Sequence, residues 1–150
     1  MVWAGISLGY RTDLHIYRRG SMTAVRYRDD VLDTIMKLDA AEVGPSFVLM
    51  DDSASPHRAA FVDDFLESEG IAHMEWPAYS PDLNPIENFW DDLGRAVCRR
   101  FPPPATLRDL ETALQEEWRL LDYAVVDYLV ASMITRSTLY MKARGTPIHY

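Results

Sequence analysis

Glu87 stands at the third position of a helical pattern that begins straight after prolines at 77, 81 and 85, in the stretch AYSPDLNPIENFWD (78–91). A second acidic pair, Asp51 and Asp52, closes the short apolar run FVLM (47–50) and leads into SASPH (53–57). Two hard-oxygen ligands on a rigid scaffold suit Mg²⁺, which takes near-octahedral oxygen coordination and keeps several waters. Two such ions about 3.5–4 Å apart activate an attacking oxygen and stabilise the leaving one in an in-line phosphoryl transfer. Spacing alone is thin ground for that chemistry, because Asp and Glu supply 23 of the 150 residues.

Each of these residues also has an ordinary structural reading. Asn84 is a good N-cap, Pro85 a favoured first helical residue, and Glu87 completes a capping-box pattern near the positive end of the helix dipole. Local sequence favours capping over metal binding there. Asp52, ahead of Ser-Pro, fits a turn. His57 suits a metal ligand or proton shuttle, but a surface histidine at a helix start is the simpler reading. His15, His73, His149 and Cys98 have no zinc spacing, and no nucleophile-elbow, Walker or dinucleotide fingerprint occurs.

The elements that must position these residues follow from periodicity. VWAGIS (2–7) and TDLHIYRR (12–19) are expected as two strands around the turn LGYR, the second half-buried by its alternation. Residues 23–38 turn helical, with Val31, Ile35 and Leu38 as the core stripe, and VGPS ends that helix. FVLM has no alternation, as expected of a strand covered on both faces. A helix near 57–69 follows, with Phe61, Val62, Phe65 and Leu66 inward; Gly70 ends it and IAHMEW (71–76) is the next strand. A helix from Pro85 to about Cys98 precedes the stiff connector FPPPAT. The next has Thr106 and Asp109 at N-cap and N3 spacing and Leu107, Leu110, Leu114, Trp118 and Leu121 inward; a last helix covers about 124–143. This order predicts an α/β fold, helices flanking a mixed sheet, with ligands beyond the carboxyl ends of parallel strands.

Composition narrows the class. With 150 residues and 48% apolar content the chain is one domain with a real core, and no apolar run approaches the roughly 18 residues that cross a bilayer. The single cysteine fits a reducing, intracellular compartment, and the opening MVWAGISLGYR lacks the pattern of a secretory signal. A net charge of −8, with 15 basic against 23 acidic residues, argues against a stand-alone nucleic-acid binder. Arg18-Arg19 and Arg99-Arg100 are its small basic clusters.

Three stretches carry a resemblance: DSASPH (52–57), WPAYSPDLNPIENFWDDLGR (76–95) and LQEEW (114–118), with the opening MVWAGIS. They resemble the C-terminal catalytic region of DDE transposases of the mariner superfamily, Tc-type branch, over nearly the whole chain. In that branch the second catalytic Asp opens a D-N-A-x-P-H motif and the last carboxylate is the Glu of S-P-D-L-N-P-I-E. Asp52 and Glu87 occupy those places, with 34 residues between them, the spacing of the branch. Asp51 stands where the family usually has Gln and points to the opposite face of the strand. Ser53 replaces the usual Asn.

The resemblance implies a ribonuclease-H-like catalytic domain in which Asp52 and Glu87 bind Mg²⁺ or Mn²⁺, supported by His57, Asn84 and Asp51. The implied activity is metal-dependent DNA strand cleavage and strand transfer at transposon ends (DNA transposition and integration) in the nucleus. DNA and a dimer partner are the implied associations, with no membrane and no small-molecule substrate. The family's first catalytic Asp lies on a central strand upstream of VWAGIS, between it and the FVLM strand. The chain is therefore expected to be a partial domain truncated at its N-terminus, missing that strand and the helix-turn-helix region, binding metal weakly and inactive alone. The alternative is a non-catalytic transposon-derived domain that binds nucleic acid or protein.

Overall fold

The computed structural model describes residues 1–52, 54–74 and 83–142 and divides into two units, residues 1–18 with 81–150 and residues 19–80. The first unit opens on a broken hairpin. Strands β1 (Val2–Trp3) and β4 (His15–Ile16) pair antiparallel, as do β2 (Ile6–Ser7) and β3 (Tyr10–Arg11), with Gly9 at φ 71 in the turn. The expected continuous strands over 2–7 and 12–19 are each interrupted. Register explains it: Trp3 faces His15 but Ile6 faces Arg11, so the second strand holds one extra residue, a bulge. Thr12 fills the break, its amide donating to the Gly5 carbonyl (3.0 Å) and its hydroxyl accepting from the Gly5 amide (2.9 Å).

Among the described residues four helices complete this unit. Helix α4 (Pro85–Cys98) has the expected bounds and buries Phe89, Leu93 and Val97 at helical spacing. Helix α5 (Leu107–Leu120) starts in the expected capping box: the Thr106 hydroxyl accepts from the Asp109 amide (3.1 Å) and the Asp109 carboxylate from the Thr106 amide (3.0 Å). That hydrogen bonding holds the Asp109 carboxyl below its ordinary pKa. The inward stripe of α5 has the right period but the wrong extent. Ala113 and Trp118 are buried and Leu114 and Leu121 half-buried, whereas Leu107 and Leu110 stay exposed, because covering structure begins only past the first turn. The single last helix is two, α6 (Tyr123–Ala131) and α7 (Met133–Lys142). At the break the Ser132 hydroxyl donates to the Leu129 carbonyl (2.7 Å), a competition for the main chain that bends helices.

Trp118 holds the core of this unit together. It meets Phe89 edge-on (5.1 Å, 89°), stacks on Trp90 (5.5 Å) and donates its indole N–H to the Thr12 carbonyl (3.1 Å). Around them close Ala4, Leu14, Leu93, Val126 and Leu129. Arg11 lies over the Trp118 and Tyr123 rings and donates to the carbonyls of Leu121 (2.6 Å) and Arg119 (3.0 Å). A cation thus satisfies acceptors left open at the C-terminus of α5.

The second unit is a β–α–β unit preceded by a helix. That helix runs as α1 (Ala24–Arg26), a π-wound segment (Tyr27–Met36) and α2 (Lys37–Val43), and ends at Gly44, φ 77. Winding with i→i+5 bonds moves the buried face to Tyr27, Val31, Leu32 and Met36, so Leu38, expected inward, is exposed and Ile35 half-buried. Strand β5 (Val48–Leu49) pairs in parallel with β6 (Ala72–His73), Leu49 beside His73. A 3₁₀ turn (Ser55–Arg58) and α3 (Ala60–Ser68) make the crossover, burying Val62 and Leu66 and leaving Phe61 partly exposed. FVLM is not covered on both faces: Leu49 is buried, while Val48 and Met50 are exposed. Strand polarity is mixed as expected, but among the described residues the strands form three separate pairs instead of one sheet. Of IAHMEW, Glu75 and Trp76 lie outside the described residues, as do Ala78 to Asp82 of the proline-rich loop.

Candidate active site

Asp51 and Asp52 leave β5 at its carboxyl end, and the alternation of an extended chain sends them apart. The Asp51 side chain is 7% exposed and that of Asp52 52%. Asp51 is the hub of a polar cluster. Its Oδ2 accepts from the Tyr27 hydroxyl (3.0 Å), its Oδ1 lies 3.0 Å from His73 Nε2, and Arg58 Nη2 stands 3.4 Å from Oδ1. The β5–β6 register delivers His73, and the first turn of the π-wound segment delivers Tyr27, 1% exposed. Burial first, and then the charge of Asp51, push the Tyr27 phenol far above its ordinary pKa. Tyr27 therefore stays a donor across the working pH range.

Asp52 faces outward. Its Oδ1 accepts from the Ala54 amide (2.9 Å), an Asx turn as the sequence predicts, and lies 2.7 Å from His57 Nδ1. The expectation of a surface histidine fails at His57, whose side chain is 14% exposed. Its ring lies on that of Tyr27, centroids 4.0 Å apart and planes at 33°, so packing against an aromatic covers it. Oδ2 of Asp52 accepts no hydrogen bond among the described residues.

Asn84 and Glu87 lie in the other unit. Asn84 is buried and caps α4, its side chain accepting from the Ile86 amide (3.3 Å). Glu87 is exposed in the first helical turn, its amide donating to the Asn84 carbonyl (3.2 Å). The structure thus brings Asp51, Asp52 and His57 together, and separately Asn84 and Glu87. Sequence reasoning missed Tyr27, Arg58 and His73. A usable signal existed: a tyrosine deep in an apolar helical face needs a buried acceptor, and the parallel crossover sets the end of β5 beside β6.

The donor set agrees with a hard divalent cation in kind, an exposed carboxylate oxygen at a strand's carboxyl end, and falls short in number. Among the described residues no three His, Cys, Asp or Glu side chains are grouped to hold a metal ion. One arginine of each basic cluster is engaged elsewhere: Arg18 pairs with Glu111 (2.8 Å), and Arg100 with Glu116 (2.6 Å) and Glu117 (2.8 Å). No helix is long and apolar enough to cross a membrane among the described residues.

Residues 10–110 match the family model described as DDE superfamily endonuclease. The chain belongs to that family. Among its relatives are the transposable element Tcb1 transposase of Caenorhabditis briggsae, 29% identical over 87% of this chain and 47% of that protein, and the Tc3 transposase of Caenorhabditis elegans, 33% identical over 69% and 32%. The chain spans about half the length, or less, of these curated relatives. The catalytic domain of Mos1 mariner transposase superposes with TM-score 0.76 over 91% of this chain and 69% of that one, at 19% identity. A Mos1 catalytic-domain structure described with Mg gives the same score over 93% and 71%. The expected mixed α/β, ribonuclease-H-like fold is that of these neighbours.

Proposed function

We propose that this chain is the part of a DDE transposase catalytic domain that supplies two of its metal-binding carboxylates, Asp52 and Glu87, for DNA strand cleavage and strand transfer at transposon ends. The observation that carries the reading is Asp52 itself. Within a chain of this family, it is the half-exposed carboxylate at the carboxyl end of β5 with an oxygen open to a cation. Asp51 is buried and already bonded to neutral and cationic donors. When bound, Mg²⁺ or Mn²⁺ supplies Lewis acidity to the phosphodiester and its attacking oxygen. The chain's own groups orient: the Ala54 amide and His57 hold one oxygen of Asp52, and the Asn84 cap fixes the first turn that carries Glu87.

A further strand bearing the third acidic residue is part of this proposal. Among the described residues β5 has one hydrogen-bonded neighbour, β6, and Val48 and Met50 are exposed beside it. An unpaired strand edge with apolar side chains is a place where another strand adds. Without it the 150-residue chain binds metal weakly, is marginally stable and does not transpose. The partners we propose are transposon-end DNA and a second copy of the chain, in the nucleus. The rival reading, a domain that binds DNA or protein without cutting, has in its favour the absence of a three-ligand metal group among the described residues.

Mn²⁺ titration followed by paramagnetic broadening of backbone amide resonances tests the proposal. Broadening should centre on Ala54 and on Ile86 and Glu87, and weaken in both sets with either Asp52→Asn or Glu87→Gln. Broadening that ignores both substitutions refutes the ligand assignment. Robust Mg²⁺-dependent DNA nicking by the chain alone, lost in Glu87→Gln, refutes its inactivity.

A further inference from the structure

The mechanism above leaves unused a buried tyrosine whose hydroxyl faces a buried carboxylate. We infer that Tyr27 is a positioning residue for metal binding: through Asp51 below and His57 above, it fixes the orientation in which Asp52 presents its free oxygen. This rests on the proposed role of Asp52.

Two routes leave Tyr27. Its hydroxyl donates to Asp51 Oδ2 (3.0 Å), and Asp51 is the main-chain neighbour of Asp52, so the bond pins the strand end from which Asp52 projects. Its ring carries the imidazole of His57 at 4.0 Å, and His57 Nδ1 is 2.7 Å from Asp52 Oδ1. His73 Nε2 and Arg58 Nη2 close the opposite side of Asp51, at 3.0 and 3.4 Å from Oδ1, so that carboxylate has little freedom to turn. Oδ1 of Asp52 is held by two partners, the Ala54 amide and His57, and Oδ2 by none among the described residues. A carboxylate fixed at one oxygen and open at the other is pre-oriented as a monodentate ligand. Groups that orient a ligand without touching the ion typically govern about 10–100-fold of metal affinity.

Tyr27→Phe keeps the ring under His57 and removes only the hydroxyl, so the test separates positioning from bulk. Mn²⁺ affinity, read from broadening of the Ala54 amide, should fall about tenfold. In a His57→Gln background the same substitution should cost less than it does alone, because both act on one carboxylate. Circular dichroism of Tyr27→Phe should match the parent chain. An unchanged Mn²⁺ affinity overturns the inference, as does full additivity with His57→Gln. Failure of Tyr27→Phe to fold also overturns it, the tyrosine then being a core residue first. If Asp52→Asn leaves broadening at Ala54 intact, the ligand assignment itself falls and takes this inference with it. If Asp52→Asn abolishes the broadening while Tyr27→Phe changes nothing, the inference alone falls.

Discussion

Replacing Asp51 or Asp52 by asparagine is the same chemical change one residue apart, and the structure assigns the two opposite consequences. In Asp51→Asn, one carboxylate oxygen becomes an NH₂ that donates. The Tyr27 hydroxyl and His73 Nε2 approach different oxygens, each at 3.0 Å. The amide therefore accepts from one and points a donor at the other, or forces His73 into its second tautomer. Two charge-assisted hydrogen bonds become neutral, about 1 kcal/mol each, and an unsatisfied buried donor adds about 1–3 kcal/mol. The expected loss is about 3–5 kcal/mol. In Asp52→Asn the side chain is half-exposed, the amide oxygen still accepts from Ala54, and the cost is below about 1 kcal/mol. Urea unfolding of both variants, followed by far-ultraviolet circular dichroism, reads the difference as a shift in midpoint at constant slope. Unfolding free energies that agree to within about 0.5 kcal/mol would show that Asp51 is not a buried hub and that the two carboxylates do not divide the work in this way.

Two further outcomes follow from single side chains. Tyr27 has a folded pKa raised above its ordinary 10.0. Above that pH the unfolded chain gives up a proton that the folded one keeps. The contribution of Tyr27 is thus complete below the unfolded pKa and lost above it, at about 1.4 kcal/mol per pH unit. Stability measured from pH 9 upward should fall less steeply in Tyr27→Phe, by one proton's slope; equal slopes would contradict the burial of the phenol. Arg11→Lys keeps the charge but gives up the fork that serves the carbonyls of Leu121 and Arg119, and should destabilise by about 1–2 kcal/mol. An unchanged urea midpoint would show that this end of α5 needs no such cation.

Much of the fold was legible because its signals are local. Asn84-Pro85 marks the start of α4, Thr106 with Asp109 the start of α5, and Gly44 and Gly70 the ends of helices. Those signals act within one turn of chain, where backbone chemistry decides. Burial is not local in that sense. Leu107, Leu110 and Leu38 have the right period for a core face yet remain exposed, because period says which residues share a face and not how far a neighbour covers it. The π winding of Tyr27–Met36 shifts the face that α-helical spacing predicts, and nothing in the residues between marks it. The bulge at Thr12 likewise follows from cross-strand register, which no single strand records.

The acidic pair shows the same division at the site. Motif spacing favours Asp52 over Asp51 by one residue, too small a margin for counting alone to carry. The two-residue period of an extended chain makes that one residue decisive, since it separates an inward carboxylate from an outward one. The structure buries Asp51 among Tyr27, His73 and Arg58 and leaves Asp52 half-exposed. A buried anion surrounded by donors has its charge satisfied; an exposed one with a free oxygen can still bind a cation, and giving up its water costs less because less burial is involved. Asp51 and Asp52 thus do different work for one reason, the face of the strand each was given. Moving the acidic pair by a single residue along the chain leaves an acid at only one of these two positions, so it should remove either the buried anchor at 51 or the half-exposed carboxylate at 52, and never both.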